Sequence, residues 1–287
     1  MRCVVCGNSR EFSSYLKATR RHPHYWRCRG CGLVFAHPQP QITYHNYPIN
    51  PVDDLEIHSR FMNYRMRVNR CPDAFADKDA RILDVGAYTG VFLKFLESEG
   101  FSRVQGIEAS PSAVAYGRDR FGVDLICAEL ENYEASEPYD VVTLFNVFEH
   151  VKDPRGSLRA VRKLLKPGGY LILEVPNIHH ALCRWSLGQW HHFEIWHNWL
   201  FDYSSITTLL RSEGFSIKQF QGIGKTLALG RLFDVFMTMI RIYDYVSRDA
   251  YLSVRQKRIM KWLYSKYIIS NIHDYYLIVC NNAHIIK

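Results

Sequence analysis

The sequence predicts an α/β fold built on a doubly wound, largely parallel sheet, with a cysteine-rich module at its N-terminus and a helical insertion before its last strand. Three observations carry this expectation. Short apolar runs alternate with helical stretches from residue 81 onward. Four of the eight cysteines crowd into the first 31 residues, and about fifty residues with helical apolar spacing separate two segments expected to pair as a hairpin. A chain of 287 residues, 47% hydrophobic and 22% charged, can bury a full-sized core plus something small, which excludes intrinsic disorder and a disulfide-stapled miniprotein. No apolar run reaches the roughly eighteen residues of a membrane span, and Met1-Arg2-Cys3-Val4-Val5-Cys6 lacks the layout of a secretory signal, so a cytoplasmic location is expected.

The net charge of +8 is unevenly placed. Residues 1–80 hold 12 Lys/Arg against 7 Asp/Glu, residues 81–221 hold 14 against 17, and residues 222–287 hold 10 against 4. A mildly acidic middle between two basic ends argues against one nucleic-acid-coating surface.

Cys3-x2-Cys6, a 21-residue gap and Cys28-x2-Cys31 follow the arithmetic of a tetrahedral zinc site, because two residues between ligands let one tight turn present two thiolates to one ion. Gly7 and Gly32 follow the two pairs, where such a turn calls for positive φ. Four cysteine ligands leave no open position, so the expected Zn2+ is structural. Tyr25-Trp26-Arg27 and Leu33-Val34-Phe35 supply the strands of a ribbon hairpin. Residues 1–32 carry seven Lys/Arg and only Glu11, a basic face that could meet an anionic substrate or simply be solvated. Phe61, Tyr64, Met66 and Val68 then suggest one connecting helix.

The alternation begins with Arg81-Ile-Leu-Asp-Val-Gly86 as a strand and Val91-Phe-Leu-Lys-Phe-Leu96 as the start of a helix. Val104-Gln-Gly-Ile-Glu108, residues 124–128 and Tyr139-Asp-Val-Val-Thr-Leu-Phe145 follow as strands, with helices over 112–121 and 154–166. The Lys166-Pro167-Gly168-Gly169 turn leads into the strand Tyr170-Leu-Ile-Leu-Glu-Val175. A sheet wound in this way takes ligands at its C-terminal strand ends. There Asp84-Val-Gly86-Ala-Tyr88-Thr-Gly90 sets glycines where strand turns into helix, and Glu108 closes the next strand, where an acid can take both hydroxyls of a ribose. A dinucleotide reading fits poorly, since Gly86-x-Tyr88-x-Gly90 is not G-x-G-x-x-G.

These residues resemble a class I S-adenosylmethionine-dependent methyltransferase. The match runs through Ile82–Gly90, Gly106-Ile-Glu-Ala-Ser110, Cys127-Ala-Glu-Leu-Glu131, Asn146-Val-Phe-Glu-His-Val151 and Leu165-Lys-Pro-Gly-Gly169. It covers roughly residues 80–221, resumes at 275–281, and is similar to small-molecule methylases that include quinone-type O-methyltransferases. The N-terminal module ending in Cys31-Gly-Leu-Val-Phe35 resembles that of methylases associated with sugars and surface polysaccharides. The resemblance implies a Rossmann-like, seven-stranded methyltransferase sheet, with Gly86 and Gly90 at the methionine end of S-adenosyl-L-methionine. It gives Asp84 to the amino group, Glu108 to the ribose, and Glu129, Leu130 and Asn146 to the adenine or methionyl side. Tyr88 stands where the family usually has glycine.

Methyl transfer from a sulfonium needs alignment first, and a base only when the acceptor is a hydroxyl or protonated amine. The candidates are His150, after the fourth strand, and His191, His192 and His197 in Trp190-His-His-Phe-Glu-Ile-Trp-His-Asn198. In similar methylases a His recurs about four residues before the Phe that opens the next helix, and His197, with Phe201 after it, takes that place; His192 and His197 are therefore favoured over His150. Trp185, Trp190, Trp196 and Trp199 could wall a sugar site or pack the core. Tyr275-Tyr-Leu-Ile-Val-Cys280 should hairpin with Phe215-Ser-Ile-Lys-Gln-Phe220. Between them Leu232, Val235, Phe236, Met239, Ile240 and Tyr243 recur at helical spacing, and a second helix sets Arg255, Lys257, Arg258 and Lys261 opposite Ile259, Leu263 and Tyr267. That insertion reads as a lid, a homodimer contact or a peripheral membrane surface.

The expected organisation is a zinc ribbon over 1–45, a connecting helical segment over 46–78 and a methyltransferase domain over 79–287, with the insertion at about 225–270. The expected reaction is methylation of a hydroxyl, or else an amine or carbon, of a sugar, nucleotide-sugar or glycan-like small molecule. An RNA methyltransferase using the basic ribbon is the alternative; against it, Asn146-Val-Phe-Glu149 is not the Asn/Asp-Pro-Pro-aromatic motif of base-amine methylases. A cofactor-binding scaffold without turnover is a third reading.

Overall fold

Three short strands open the chain, β1 (Phe12–Leu16), β2 (Tyr25–Cys28) and β3 (Val34–Ala36), and they pair antiparallel in that order. The computed structural model describes residues 1–40, 49, 52, 54–180, 183, 190–224, 226–228, 267–269 and 274–283. As the spacing predicts, β2 and β3 flank the second Cys pair, and Gly7 and Gly32 adopt φ of 74° and 83°. The connecting segment forms α1 (Asp54–Asn69).

Alternation then follows the sequence closely: β4 (Ile82–Val85), α2 (Val91–Ser98), β5 (Val104–Glu108), α3 (Pro111–Phe121), β6 (Leu125–Cys127), β7 (Tyr139–Phe145), α4 (Pro154–Leu164) and β8 (Leu165–Pro176). The expected turn at Lys166–Gly169 forms a bulge within β8: Leu165 pairs with Tyr139 and Tyr170 with Val141, so these four residues stand opposite Asp140 alone, with Gly168 at φ 77°. Start signals are local. Ser110 and Asp153 accept backbone N–H bonds at the heads of α3 and α4, each followed by Pro at the first turn. Beyond β8 come β9 (Trp199–Leu200), α5 (Tyr203–Ser212), β10 (Phe215–Ile223), β11 (Thr226–Ala228), β12 (Tyr267–Ile269) and β13 (Tyr275–Asn282).

The main sheet has seven strands in the order β10-β13-β8-β7-β4-β5-β6. Only β13 runs against its neighbours, pairing antiparallel with both β10 and β8. The chain builds outward from β4 through β5 to β6, then returns to lay β7 on the opposite side of β4. That reversal parts the loops after β4 and β7 and opens a crevice at the C-terminal edge. One face packs Leu158, Val161, Ile206, Leu209 and Phe201, while the other packs Phe92, Phe95, Phe75 and Phe101 under α1. The hairpin of 215–220 with 275–280 forms as expected. The helical stripe at 232–243 and the basic residues Arg255, Lys257, Arg258 and Lys261 lie outside the described residues. Tyr267 is in β12, paired with Ala228, so the second helix does not extend to it. Among the described residues no helix is long and apolar enough to cross a membrane.

The N-terminal module shares both a sheet and a core with the larger domain. β3 pairs with β9 through Val34–Leu200 and Phe35–Trp199, while Cys3, Val5, Leu33 and Phe35 join the core of α4 and α5. Arg155 on α4 donates to the carbonyls of Val4 at 2.6 Å and Val5 at 2.7 Å, and also to Ser212 and Glu213. Gly32 passes so close to Asp202, which caps α5, that a Cβ there would stand 2.1 Å from Asp202 Oδ2. Gly32→Ala should therefore destabilise the protein by roughly 2–4 kcal/mol, combining positive φ with overlap. Gly100→Ala, at φ 89° with nothing within 4 Å, should cost only about 1–2 kcal/mol. Thermal unfolding of the two variants checks this, and equal losses would contradict the packed seam.

Candidate active site

The loop after β4 has the left-handed backbone its glycines permit. Gly86 and Gly90 sit at φ 69° and 75°, and a Cβ on either would meet Val147 at 2.5 Å or Val123 at 2.6 Å. Tyr88, in a place where glycine is usual, takes φ 49° and so keeps the left-handed shape at a cost of about 1–2 kcal/mol. Its N–H donates to Glu108 Oε2 at 2.9 Å, and Ser110 N–H donates to Glu108 Oε1 at 2.8 Å. Both bonds preset the carboxylate at the end of β5. Burial nonetheless raises its pKa, with the backbone N–H groups opposing the rise.

Asp84, at the heart of β4, is buried and accepts the Thr143 hydroxyl at 2.6 Å. Burial pushes it up to about 7; the Thr143 bond opposes that rise and the nearby Glu108 charge adds to it. Among the described residues neither acid is paired with Lys, Arg or His. The buried Thr89 hydroxyl, in the same loop, has no hydrogen-bond partner among the described residues. Asn146 leaves β7 at φ 58° and donates to Glu174 Oε1 at 3.1 Å. Glu129 and the buried Leu130 start a 3-10 turn after β6, tied to Glu108 through Ala128 N–H on the Glu108 carbonyl. Thus Asp84, Gly86, Gly90, Glu108 and Asn146 gather at one edge, with Glu129 and Leu130 at its flank.

Sequence reading missed the groups that roof this edge. Glu174 is fully buried in β8 and binds Arg67 of α1, with Nη2 on Oε1 at 2.6 Å and Nε on Oε2. Burial works against the Arg67 charge, and Glu174 more than restores it. Tyr64 packs on Phe92 with ring centroids 4.9 Å apart, and Phe61 on Phe95 at 5.4 Å, which seats α1 over the glycine loop. One signal was available: Glu174 is the lone charge in the apolar run Tyr170–Val175.

The histidines converge nearby. His150 and His197 rings lie 4.6 Å apart, and His197 stacks on His192 at 5.7 Å. His150 Nδ1 is 2.8 Å from the Trp196 carbonyl, which assigns the proton to that nitrogen. Burial lowers the pKa of His150, and burial followed by the His150 and His192 charges lowers that of His197 well below the ordinary value. His197 is therefore neutral at pH 7, and its buried Nδ1 has no partner among the described residues. Asp274, just before β13, contacts His191 Nε2 at 3.0 Å, His192 Nε2 at 3.3 Å and Trp190 Nε1 at 3.1 Å. Burial would raise Asp274, but the two histidines hold it well below the carboxylate range. Tyr275 joins the two halves of the site, with its ring 4.8 Å from His192 and its hydroxyl in the field of Glu174, Asp274, Glu149 and Arg67. Of the four tryptophans, Trp190 and Trp199 take the core-packing alternative: both are buried, with their indole N–H groups bonded to Asp274 and the Val151 carbonyl, while Trp196 is half-buried. Trp185 lies outside the described residues.

At the N-terminus the four sulfurs of Cys3, Cys6, Cys28 and Cys31 lie within 4.8 Å of one another. Cys3 and Cys31 are 3.5 Å apart, as are Cys6 and Cys28, against the roughly 3.8 Å expected around a tetrahedral ion with 2.3 Å bonds. Asn8 Nδ2 faces Cys28 Sγ at 3.7 Å. A cavity of about 380 Å3 runs along the seam between this module and the loop after β8, lined by Tyr15, Arg27, Gly32, Val34, Ile178 and His179.

Strand order, one reversed strand and an acidic glycine loop at the switch point define a class I methyltransferase type of nucleoside-binding fold. The chain belongs to the methyltransferase-domain family, whose profile matches residues 57–219. It is 35% identical over 105 residues to the ubiquinone biosynthesis O-methyltransferase of Xanthomonas campestris pv. campestris (strain B100), covering 34% of this chain and 44% of that protein. It is 34% identical over 119 residues to the same-named enzyme of Pseudomonas entomophila (strain L48), covering 39% and 51%. The chain thus spans about half the length of the curated relatives it matches. Among solved structures, the [4+2]-cyclase SpnF aligns with TM-score 0.53 at 18% identity, covering 85% of this chain and 89% of that one. A candidate methyltransferase of Bacillus halodurans C-125 aligns with TM-score 0.50 at 14% identity, covering 76% and 99%. These likenesses show the fold, and one fold hosts more than one reaction.

The buried ion pair gives a direct test. Arg67→Met and Glu174→Met should each cost about 3–5 kcal/mol by stranding the partner's charge, while the two changes together should recover most of that. Urea unfolding of the three variants measures the coupling.

Proposed function

We propose that the chain is an S-adenosyl-L-methionine-dependent methyltransferase that methylates a hydroxyl of a sugar, nucleotide-sugar or glycan-like small molecule. The reading rests on two features: a buried carboxylate, Asp84, with no basic partner among the described residues, in the strand that opens the glycine loop, and an imidazole nitrogen, His197 Nδ1, with no hydrogen-bond partner among them, in the loop after β8. The residues fit the cofactor: two acids without a basic partner suit a cationic nucleoside, and the orphaned Thr89 hydroxyl lies in the same loop. When bound, S-adenosyl-L-methionine supplies a methyl carbon on an activated sulfonium. Asp84 would hold its amino group and Glu108 the ribose hydroxyls, while Gly86 and Gly90, packed against Val147 and Val123, would give the loop the tight left-handed backbone that lets it pass close to the cofactor. Glu129, Leu130 and Asn146 would line its adenine and methionyl sides. His197 is the base, because its lone pair is uncommitted while His150 holds Trp196 and His192 holds Asp274.

The four cysteines, as a closed all-sulfur set, would hold a structural Zn2+ that fixes the module against α5. Arg27, at the seam cavity, supports a ribbon that meets an anionic part of the acceptor.

Two measurements test the reading. Affinity for S-adenosyl-L-methionine, followed by calorimetry, should strengthen as pH rises through about 7 and Asp84 ionises, and fall by up to about tenfold per unit below it. Asp84→Asn should weaken binding at least tenfold at pH 8 and flatten that profile. With labelled cofactor and fractionated cell extract, label should enter soluble glycans or nucleotide-sugars, and His197→Ala should slow that transfer by about 10²–10⁴-fold with little change in cofactor affinity. Label in RNA alone, or full turnover in the variant, would count against the acceptor class and the base respectively.

A further inference from the structure

Asp274 is the point on which the histidine region converges. Its Oδ2 lies 3.0 Å from His191 Nε2 and 3.3 Å from His192 Nε2, and all three atoms fall within 4.8 Å of one another. Around a tetrahedral zinc-class ion, with metal–ligand bonds of about 2.0–2.2 Å, neighbouring donors stand about 3.3–3.6 Å apart. The carboxylate stands at that distance from His192 and about 0.3 Å inside it from His191, so a small outward shift of the exposed His191 ring admits the ion. Its other oxygen is held by the Trp190 N–H at 3.1 Å, with His180 Nδ1 at 3.4 Å, so Oδ2 is turned toward the histidine pair. Such outer contacts orient ligands in metal sites. The His191 side chain is 60% exposed, giving an ion a route in and leaving coordination positions toward solvent. A second cluster, Glu149, His150 and His197, is wider, with 4.0 Å between Glu149 Oε1 and His150 Nε2.

We propose that Asp274, His191 and His192 bind a divalent transition-metal ion of the zinc class, with open positions for an oxygen of the acceptor. With each ring protonated on Nδ1, both Nε2 lone pairs and one carboxylate oxygen form a three-ligand face, the arrangement that leaves room for a substrate atom. His192 stacks 5.7 Å from His197, so one ligand of the ion is a direct neighbour of the base. An imidazole alone is a weak partner for an aliphatic hydroxyl, and a divalent ion can lower the pKa of a bound oxygen from about 15.7 toward 7. The role in methyl transfer rests on the function proposed above; the binding of the ion does not.

Co2+ added to the full chain after chelation tests the site, with metal counted by atomic emission and its ligands read from the cobalt spectrum. Two ions per chain are expected, one with the intense thiolate charge-transfer band of a cysteine site and one with nitrogen and oxygen ligands only. His191→Ala, an exposed change, should weaken the second ion at least tenfold and leave the thiolate band unchanged. Cys6→Ser should do the reverse. Absence of a nitrogen and oxygen site, or its survival in His191→Ala, would overturn the proposal. Loss of the thiolate band alone would speak only against the ribbon zinc, and absence of methyl transfer with the cobalt site intact would speak only against the function.

Discussion

A carboxylate with no access to water, in the middle of a strand, constrains much of this structure. Glu174 sits on β8 beside the switch point, and a buried charge of this kind persists only if a partner and hydrogen bonds reach it. Arg67 supplies the charge from α1, 107 residues away in the chain, and Asn146 supplies a further donor from the end of β7. Satisfying that one group therefore places the helix that roofs the glycine loop and turns the residue that opens the β7 loop. Tyr275, in the field of the same pair, carries the arrangement across to the histidines.

The N-terminal module reads as an appendage in composition, yet its backbone is committed to the larger domain. Ladder bonds from β3 to β9, the guanidinium of Arg155 across two of its carbonyls, and the tight pass of Gly32 over Asp202 all fall on elements that frame the histidine loop. The loop from β8 to α5 is consequently fastened from both sides: by Tyr25, whose hydroxyl donates to the carbonyls of Glu194 and His197, and by Asp274. Placing aromatic and imidazole rings in a buried setting requires this fastening, since each ring must find its polar partner or remain neutral.

Much of the fold was legible in the chain. Short apolar runs located β4, β5 and β7, and paired Cys-x2-Cys-Gly units located the sulfur cluster. The Lys166–Gly169 turn was legible too: the ladder skips from Leu165 to Tyr170 and leaves those residues as a bulge, while the one pair at Leu165 that extends β8 beyond the turn depends on Tyr139 across the sheet. The tryptophans left two readings open, a wall or the core. Their spacing is blind to burial, and Trp190 and Trp199 bury their rings while keeping one indole bond each.

The sequence by itself determined the order of strands and helices, the left-handed loop at Gly86–Gly90, the acids Asp84 and Glu108, and the set of histidines. Each of these is written locally, in periodicity, in backbone freedom or in residue type. Only the tertiary structure decided which of those groups meet. The partnership of Arg67 with Glu174, the convergence of His150, His192 and His197, and the role of Asp274 as their neighbour depend on contacts between segments up to about a hundred residues apart. Pairing of that kind is set by burial, because a charge or ring removed from water must be met by whatever the fold brings beside it.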